Sequence, residues 1–355
     1  MKIAVAGMGP AGSYLAALLS GKHQVDVYEG QTEERFTSVC GWATAYGGTK
    51  EALKEVGLDF DDYVLHRGRE MYVSAFDRTF PIDAPELVTF DKPRMIRDVA
   101  KGLNVRYGSF VRQGDLESKY DLVVDATGPY RRILGPVQEG RDMILPTFQW
   151  LVRYKDMPFD DFYIEPFDSF SGYLWYFPLG DHDAFVGAGD IQKGHRASVE
   201  GFLKKHPPSE KVATMGKPIR VAAPSSVLPH YGGNVVGVGE AIGTVYPILG
   251  EGILPSMTAA KMLSQMIDDR EGYSRGVRSR FSAYDLAYGY IIRKMEHTDN
   301  LLNSFIPAVK IFLWFKKNFD ITGVNPSIIE TLRVLRPRKK ATQGPTPVTP
   351  GPLSP

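Results

Sequence analysis

Lys2-Ile-Ala-Val-Ala6, then Gly7-Met-Gly9-Pro10-Ala11-Gly12, then Ser13-Tyr-Leu-Ala-Ala-Leu-Leu-Ser20 is the stretch that decides the fold. The first run is short and apolar, the pattern of a strand buried in a parallel sheet. The last is small and apolar enough for a helix packed on that sheet, with Gly21 at the C′ position where helices often end. Gln24 to Tyr28 reads as a second strand, and Glu29 stands at its end. In Gly7-x-Gly9-x-x-Gly12 the first glycine makes a tight turn, the second admits a pyrophosphate against the backbone, and the third lets helix and strand approach closely. The helix start then offers free N–H groups and the positive end of its dipole to phosphate. Glu29, 22 residues after Gly7, is placed to accept from the hydroxyls of an adenosine ribose.

Outside this unit the bulk composition is ordinary. The chain has 355 residues, 43% hydrophobic and 23% charged, with a net charge of +1. That charge offers no field for nucleic acid. Cys40 is the single cysteine, so neither an internal disulfide nor a cysteine-held metal cluster is expected. No secretory signal and no apolar run long enough to span a bilayer is seen, and a cytoplasmic location is expected. The seven histidines are scattered and form no motif.

Two later segments narrow the nucleotide. Asp121-Leu-Val-Val-Asp125 reads as a strand that ends in Ala126-Thr127-Gly128. Gly237-Val-Gly239-Glu240-Ala-Ile-Gly243 leads through Pro247 to Gly250-Glu-Gly252-Ile253 and a helix. They resemble the "ATG" turn and the "GDAAG…P..G.G" segment of the FAD-dependent hydroxylase and reductase superfamily, the p-hydroxybenzoate hydroxylase-like flavoproteins. The resemblance implies FAD, with Gly7, Gly9, Pro10, Ala11, Gly12, Glu29, Ala126, Thr127, Gly128, Gly239, Glu240, Gly250, Gly252 and Ile253 about it. Glu240 stands where that superfamily usually has Asp.

Two more segments narrow the resemblance to the geranylgeranyl reductase family. Val39-Cys40-Gly41 falls where the family has a Cys-Gly pair near the flavin, and Tyr173-Leu-Trp175-Tyr-Phe177-Pro178-Leu-Gly180 matches its Y-x-W-x-F-P-x-G pattern. The likeness runs to about residue 270 and fades beyond it. It implies hydride transfer from reduced flavin to isoprenoid C=C bonds of geranylgeranyl lipids or prenyl diphosphates. Cys40 and Gly41 are then the catalytic candidates, with Tyr173, Trp175, Phe177, Pro178 and Pro247 against the substrate. On an extended strand Tyr173, Trp175 and Phe177 share one face. They either wall an apolar pocket or pack a helix. An isoprenoid must be held by burial, at about 0.8 kcal/mol per CH₂.

The expected fold class is α/β: a Rossmann-like FAD-binding lobe, an antiparallel-sheet substrate lobe and a C-terminal helical region. The expected division is 1–65, 88–145 and 221–275 for the cofactor; 66–87 and 146–220 for substrate; 276–335 helical; and 336–355 a disordered Pro-rich tail. Residues 305–320 combine bulky apolar side chains with Lys310, Lys316 and Lys317. They read as a helix that either docks on the catalytic lobe or touches a membrane surface peripherally. Arg333, Arg336, Arg338, Lys339 and Lys340 form a basic run beside the tail. The electron donor stays open among ferredoxin, NAD(P)H and other reduced carriers. Two rival functions share these features: a flavin monooxygenase or halogenase of the same fold, and a prenyl-lipid binding protein without catalysis.

Overall fold

A computed structural model describes residues 1–75, 78–137, 142–298 and 300–335, with backbone alone at 301–303. The expected tail at 336–355, and the basic run after Arg333, lie outside the described residues. The chain starts with β1 (Lys2–Ala6), α1 (Pro10–Ser20), β2 (Gln24–Tyr28), β3 (Ala43–Ala45), α2 (Tyr46–Lys54) and β4 (Val64–Arg67). It continues with β5 (Glu70–Ala75), β6 (Arg78–Asp83), β7 (Leu87–Phe90), α3 (Lys92–Val99), β8 (Asn104–Arg106) and β9 (Leu122–Asp125). Then come β10 (Ile144–Leu145), β11 (Thr147–Arg153), β12 (Phe162–Pro166), β13 (Gly172–Pro178), β14 (Asp183–Asp190), α4 (His195–Lys205), β15 (Glu210–Met215) and β16 (Ile219–Arg220). The last are β17 (Tyr231–Gly232), β18 (Val235–Gly237), α5 (Ile253–Gln265), α6 (Arg270–Arg280), α7 (Ser282–Met295), α8 (Leu301–Lys317), α9 (Phe319–Thr322) and α10 (Ile328–Leu335).

Two large sheets carry the fold, which is α/β as expected. The first has the order β17-β18-β9-β1-β2-β8 and is parallel except for the β17–β18 hairpin. Ile3 to Ala6 are fully buried at its centre, which is why β1 reads as an unbroken apolar run rather than an alternating one. The second sheet has the order β15-β11-β14-β13-β12-β5-β6. It is antiparallel except between β12 and β5, which run parallel. On β13 the side chains part by parity. Leu174 and Tyr176 pack with Val199, Phe202 and Leu203 of α4, while Tyr173, Trp175 and Phe177 face the opposite way into a cavity.

One local reading needs correction. Gly21 closes α1 at a φ of −72°, in the right-handed region, so it is not a left-handed C′ glycine. The β8 strand stops at Arg106, because the chain turns at Gly108, where φ is +62°. Asp91 stands just outside α3 as its N-cap, accepting from the Arg94 N–H at 3.0 Å.

The glycine loop shows why its residues are small. Gly7 has φ +103°, and a Cβ there would lie 2.3 Å from the Ala126 carbonyl oxygen. A Cβ on Gly12 would lie 2.0 Å from the Gly7 oxygen. Pro10 opens α1, where its missing N–H costs nothing. Gly12→Ala is expected to destabilise the fold by ~1–3 kcal/mol, read as a lower urea midpoint; an unchanged midpoint contradicts this packing.

Candidate active site

A cavity of about 700 Å³ runs from the Gly7–Ala11 loop to the aromatic face of β13 and on to α7, α8 and α10. Its first end is the glycine loop, the candidate dinucleotide cradle. A Cβ on Gly9 would meet nothing within 4 Å, so this backbone stands open to the cavity. The Glu29 carboxylate is buried and oriented by two backbone donors, Met8 N–H at 3.0 Å and Gln31 N–H at 2.8 Å. Each oxygen keeps acceptor capacity for a further hydroxyl. Phe110 lies against Gly30, and the Arg132 guanidinium stacks on Phe110 at 4.2 Å and on Tyr130 at 4.7 Å.

The next wall is the turn after β9. Asp125 is fully buried and acts on the backbone: it accepts from the N–H groups of Thr127, Ile133 and Leu134 at 2.9–3.0 Å and from the Thr127 hydroxyl at 2.6 Å. Arg131, buried at φ +44°, donates to the carbonyls of Gly135, Val227, Pro229 and Ala241. Burial, with the neighbouring Arg220 charge adding to it, brings this guanidinium down to about 10. Arg131 thus ties the turn to the segment that carries Glu240. A Cβ on Gly128 would lie 3.3 Å from Glu240 Oε2, and Glu240 Oε1 accepts from the Arg220 N–H at 2.7 Å. Burial raises the Glu240 carboxyl above its ordinary range, and Lys217, Lys92 and Arg220 oppose that rise.

Cys40 and Gly41 stand at the far side. Cys40 Sγ accepts from Lys92 Nζ at 3.0 Å and from the Trp42 N–H at 3.2 Å, and Gln149 Nε2 donates to the Cys40 carbonyl at 3.1 Å. Trp42 has φ +55°, a conformation that costs a non-glycine residue about 1–3 kcal/mol. A Cβ on Gly41 would sit 2.7 Å from the Phe177 ring and 3.5 Å from Trp175 Nε1. The turn is therefore pressed onto the aromatic face. Trp175 Nε1 and Gln149 Oε1 are buried without a hydrogen-bond partner among the described residues. The Tyr173 hydroxyl donates to the Leu249 carbonyl, and burial pushes its phenol above the ordinary tyrosine range.

The cavity thus collects Cys40, Gly41, Gly7, Gly9, Pro10, Ala11 and Glu29 with Ala126, Thr127, Gly128, Glu240, Gly250, Gly252 and Ile253. Tyr173, Trp175, Phe177 and Pro247 line it too. Three expected residues do not line it. Gly12 packs α1 on the loop, Gly239 (φ +69°) lies under Ala11, and the Pro178 carbonyl accepts from the Thr89 hydroxyl at 2.5 Å. The sequence reading missed Lys92, Lys217 and Glu251, all in the wall, and Gln149 behind it. The wall residues are single charged side chains outside any spacing rule. Only the neighbouring glycines of Glu251 flagged its turn.

No family model matches this chain. A digeranylgeranylglycerophospholipid reductase of Haloferax volcanii is 26% identical over 321 residues, 75% of either chain. The crystal structure of a geranylgeranyl bacteriochlorophyll reductase-like protein from Thermoplasma acidophilum superposes with a TM-score of 0.69 at 16% identity, covering 95% of this chain and 96% of that one. A probable FAD-dependent monooxygenase from Pseudomonas aeruginosa superposes with a TM-score of 0.58 at 16% identity, covering 84% and 97%. The fold is that of the FAD-dependent flavoproteins, a Rossmann-like lobe joined to an antiparallel-sheet lobe and C-terminal helices. Within that class the resemblance to the geranylgeranyl reductase family, first seen in the Cys-Gly pair and the β13 motif, recurs in both the curated relative and the Thermoplasma structure.

Proposed function

We propose that this chain is an FAD-dependent reductase that saturates C=C bonds of geranylgeranyl lipids or prenyl diphosphates. What carries the reading is the face of β13. Tyr173, Trp175 and Phe177 form an aromatic wall in the same cavity as the dinucleotide cradle, with Cys40–Gly41 pressed against it. FAD fits the residues present. The Gly9 backbone is open, α1 presents its N-terminus, and Glu29 is set for the ribose. Glu240, one methylene longer than Asp, already reaches the Gly128 turn and serves the cofactor from there. When bound and reduced, FAD supplies the hydride equivalent.

The chain's own residues do the rest. Ile164, Met71, Val73 and Ile82 continue the apolar wall and exclude water from an alkene that has no polar handle. The turn Gly250–Ile253 and Pro247 close the side facing the cradle. Residues 1–65, 88–145 and 221–275 serve the cofactor, 66–87 and 146–220 the substrate, and 276–335 close the cavity's deep end.

The lipid is drawn from a membrane surface. No described helix is long and apolar enough to cross a bilayer. Yet α8 lines the cavity with Phe315 while its outer side exposes Phe305, Ile306 and Leu313 beside Lys310, Lys316 and Lys317. That is the pattern of a helix lying on an anionic lipid surface.

Three outcomes test these statements. Gly9→Val places a branched side chain in the pyrophosphate path, at ~1–3 kcal/mol or ~10–100-fold in FAD Kd; undiminished flavin absorbance of the purified variant refutes the cradle. Trp175→Ala is expected to keep its flavin and lose ~10-fold or more in kcat/KM for long prenyl chains. Loss of flavin instead makes the strand structural. Vesicles containing anionic lipid are expected to sediment the wild type but bind Leu313→Glu roughly tenfold less. Equal binding of the two excludes α8 as the contact.

A further inference from the structure

The turn between Pro247 and α5 carries a carboxyl that no motif accounts for. Glu251 lines the cavity, and its three hydrogen bonds all fall on Oε1: from the Thr44 hydroxyl at 3.1 Å, the Ile253 N–H at 3.2 Å and the Leu254 N–H at 3.1 Å. Among the described residues Oε2 accepts from none, and it is not one of the fully enclosed atoms that lack a partner, which leaves it accessible from the cavity that Glu251 lines. One residue earlier, a Cβ on Gly250 would lie 2.9 Å from the Tyr173 hydroxyl, which is bonded to the Leu249 carbonyl. The free oxygen therefore belongs to the same turn that grips the aromatic wall.

We propose that Glu251 is the acid that protonates the double bond, an inference that rests on the prenyl-reductase reading above. An isolated trisubstituted alkene has no carbonyl to accept charge, so hydride addition alone would leave an unstabilised carbanion. Proton transfer from the Glu251 carboxyl to the less substituted carbon leaves the positive charge on the tertiary carbon. The ring faces of Tyr173, Trp175 and Phe177 stabilise that cation. A hydride equivalent, two electrons and one proton, is then needed at the tertiary carbon to complete the saturated bond, and bound reduced FAD would supply it in becoming oxidised. The Glu251 carboxylate regains its proton from solvent, so atoms and charge balance.

The group is suited to the task. Burial pushes Glu251 up to about 7, against the pull of the two N–H groups, Thr44 and the Lys92 charge. The groups facing it are Lys92 on α3, Tyr173 on β13 and Tyr284 on α7, with Thr44 on β3 as its hydroxyl partner. Other acids of the cavity are less available. Glu240 points Oε2 at the Gly128 turn rather than at the aromatic wall, the Tyr173 hydroxyl is given to Leu249, and Cys40 Sγ already accepts from Lys92 and Trp42.

Glu251→Gln is the informative variant, because its amide oxygen still accepts from Ile253 and Leu254 but cannot deliver the proton. FAD-loaded protein, reduced with dithionite, is mixed with a geranylgeranyl lipid, and saturated product is counted by mass spectrometry in a single turnover. The wild-type rate is expected to fall as pH rises through about 7, since the acid form is lost there. Glu251→Gln is expected to be ~10²-fold slower or more, with unchanged flavin content and no such limb. Infrared difference spectra of the FAD-loaded, substrate-free protein supply a readout independent of turnover. A buried protonated carboxyl should titrate near 7 in the wild type and be missing from the variant. A Glu251→Gln enzyme within about threefold of wild type, or full loss on Cys40→Ala with Glu251→Gln active, overturns the assignment. A wild type that binds FAD but saturates no prenyl lipid fails the reductase reading itself, and the proposal with it.

Discussion

Three distant parts of the chain meet where there is no room for side chains. A Cβ on Gly12 would run into the Gly7 carbonyl oxygen and one on Gly7 into the Ala126 carbonyl oxygen, and Gly239 sits under Ala11. The fold depends on this close approach because it is where α1, β1, β9 and the β18 turn are pulled to one point. Everything that faces the cofactor is hung from it. The open backbone of Gly9, the two-donor hold on Glu29 and the approach of Glu240 to Gly128 are all consequences of these segments touching through backbone.

A second tier of constraints then shapes the reacting end. The Asp125 carboxylate and the Arg131 guanidinium are both buried, and both are satisfied almost wholly by backbone groups. A charge removed from water must be repaid by such partners or it destabilises the fold. Here the partners belong to loops that have no regular structure of their own. The cost of burial is thus offset by fixing the turns that position Glu240, while Gly41 on the opposite wall is fixed by ring contact with Phe177.

How much of this was legible follows from the range of each signal. The β1–α1–β2 unit was readable because glycine spacing, an apolar run and a terminal acid are local and have one common physical cause. The wall of Tyr173, Trp175 and Phe177 was readable as a period of two, though whether it faced a helix or a cavity was not, since both sides of β13 are buried. Gly21 misled because a residue name does not state φ. Lys92, Glu251 and Gln149 were invisible. Each is one polar residue whose meaning comes only from neighbours 52, 207 and 109 positions away, and no spacing rule spans such distances.

The seven-stranded sheet carries one more implication. Its β5–β6 hairpin is made early in the chain, but β12, the strand it adds to, comes only after β7, β8 and β9 have crossed to other sheets. Neither large sheet is therefore a continuous piece of chain. A single cut cannot release a self-sufficient half, and a ribosome that has emitted the first hundred residues has made two strands with an edge still waiting for its partner. Such long-range closure slows folding and couples the two sheets, so loss of either is felt by both. Because the cavity is walled by the glycine loop of one sheet and the aromatic face of the other, that interleaving makes the shape of the cavity and the folded state stand or fall together.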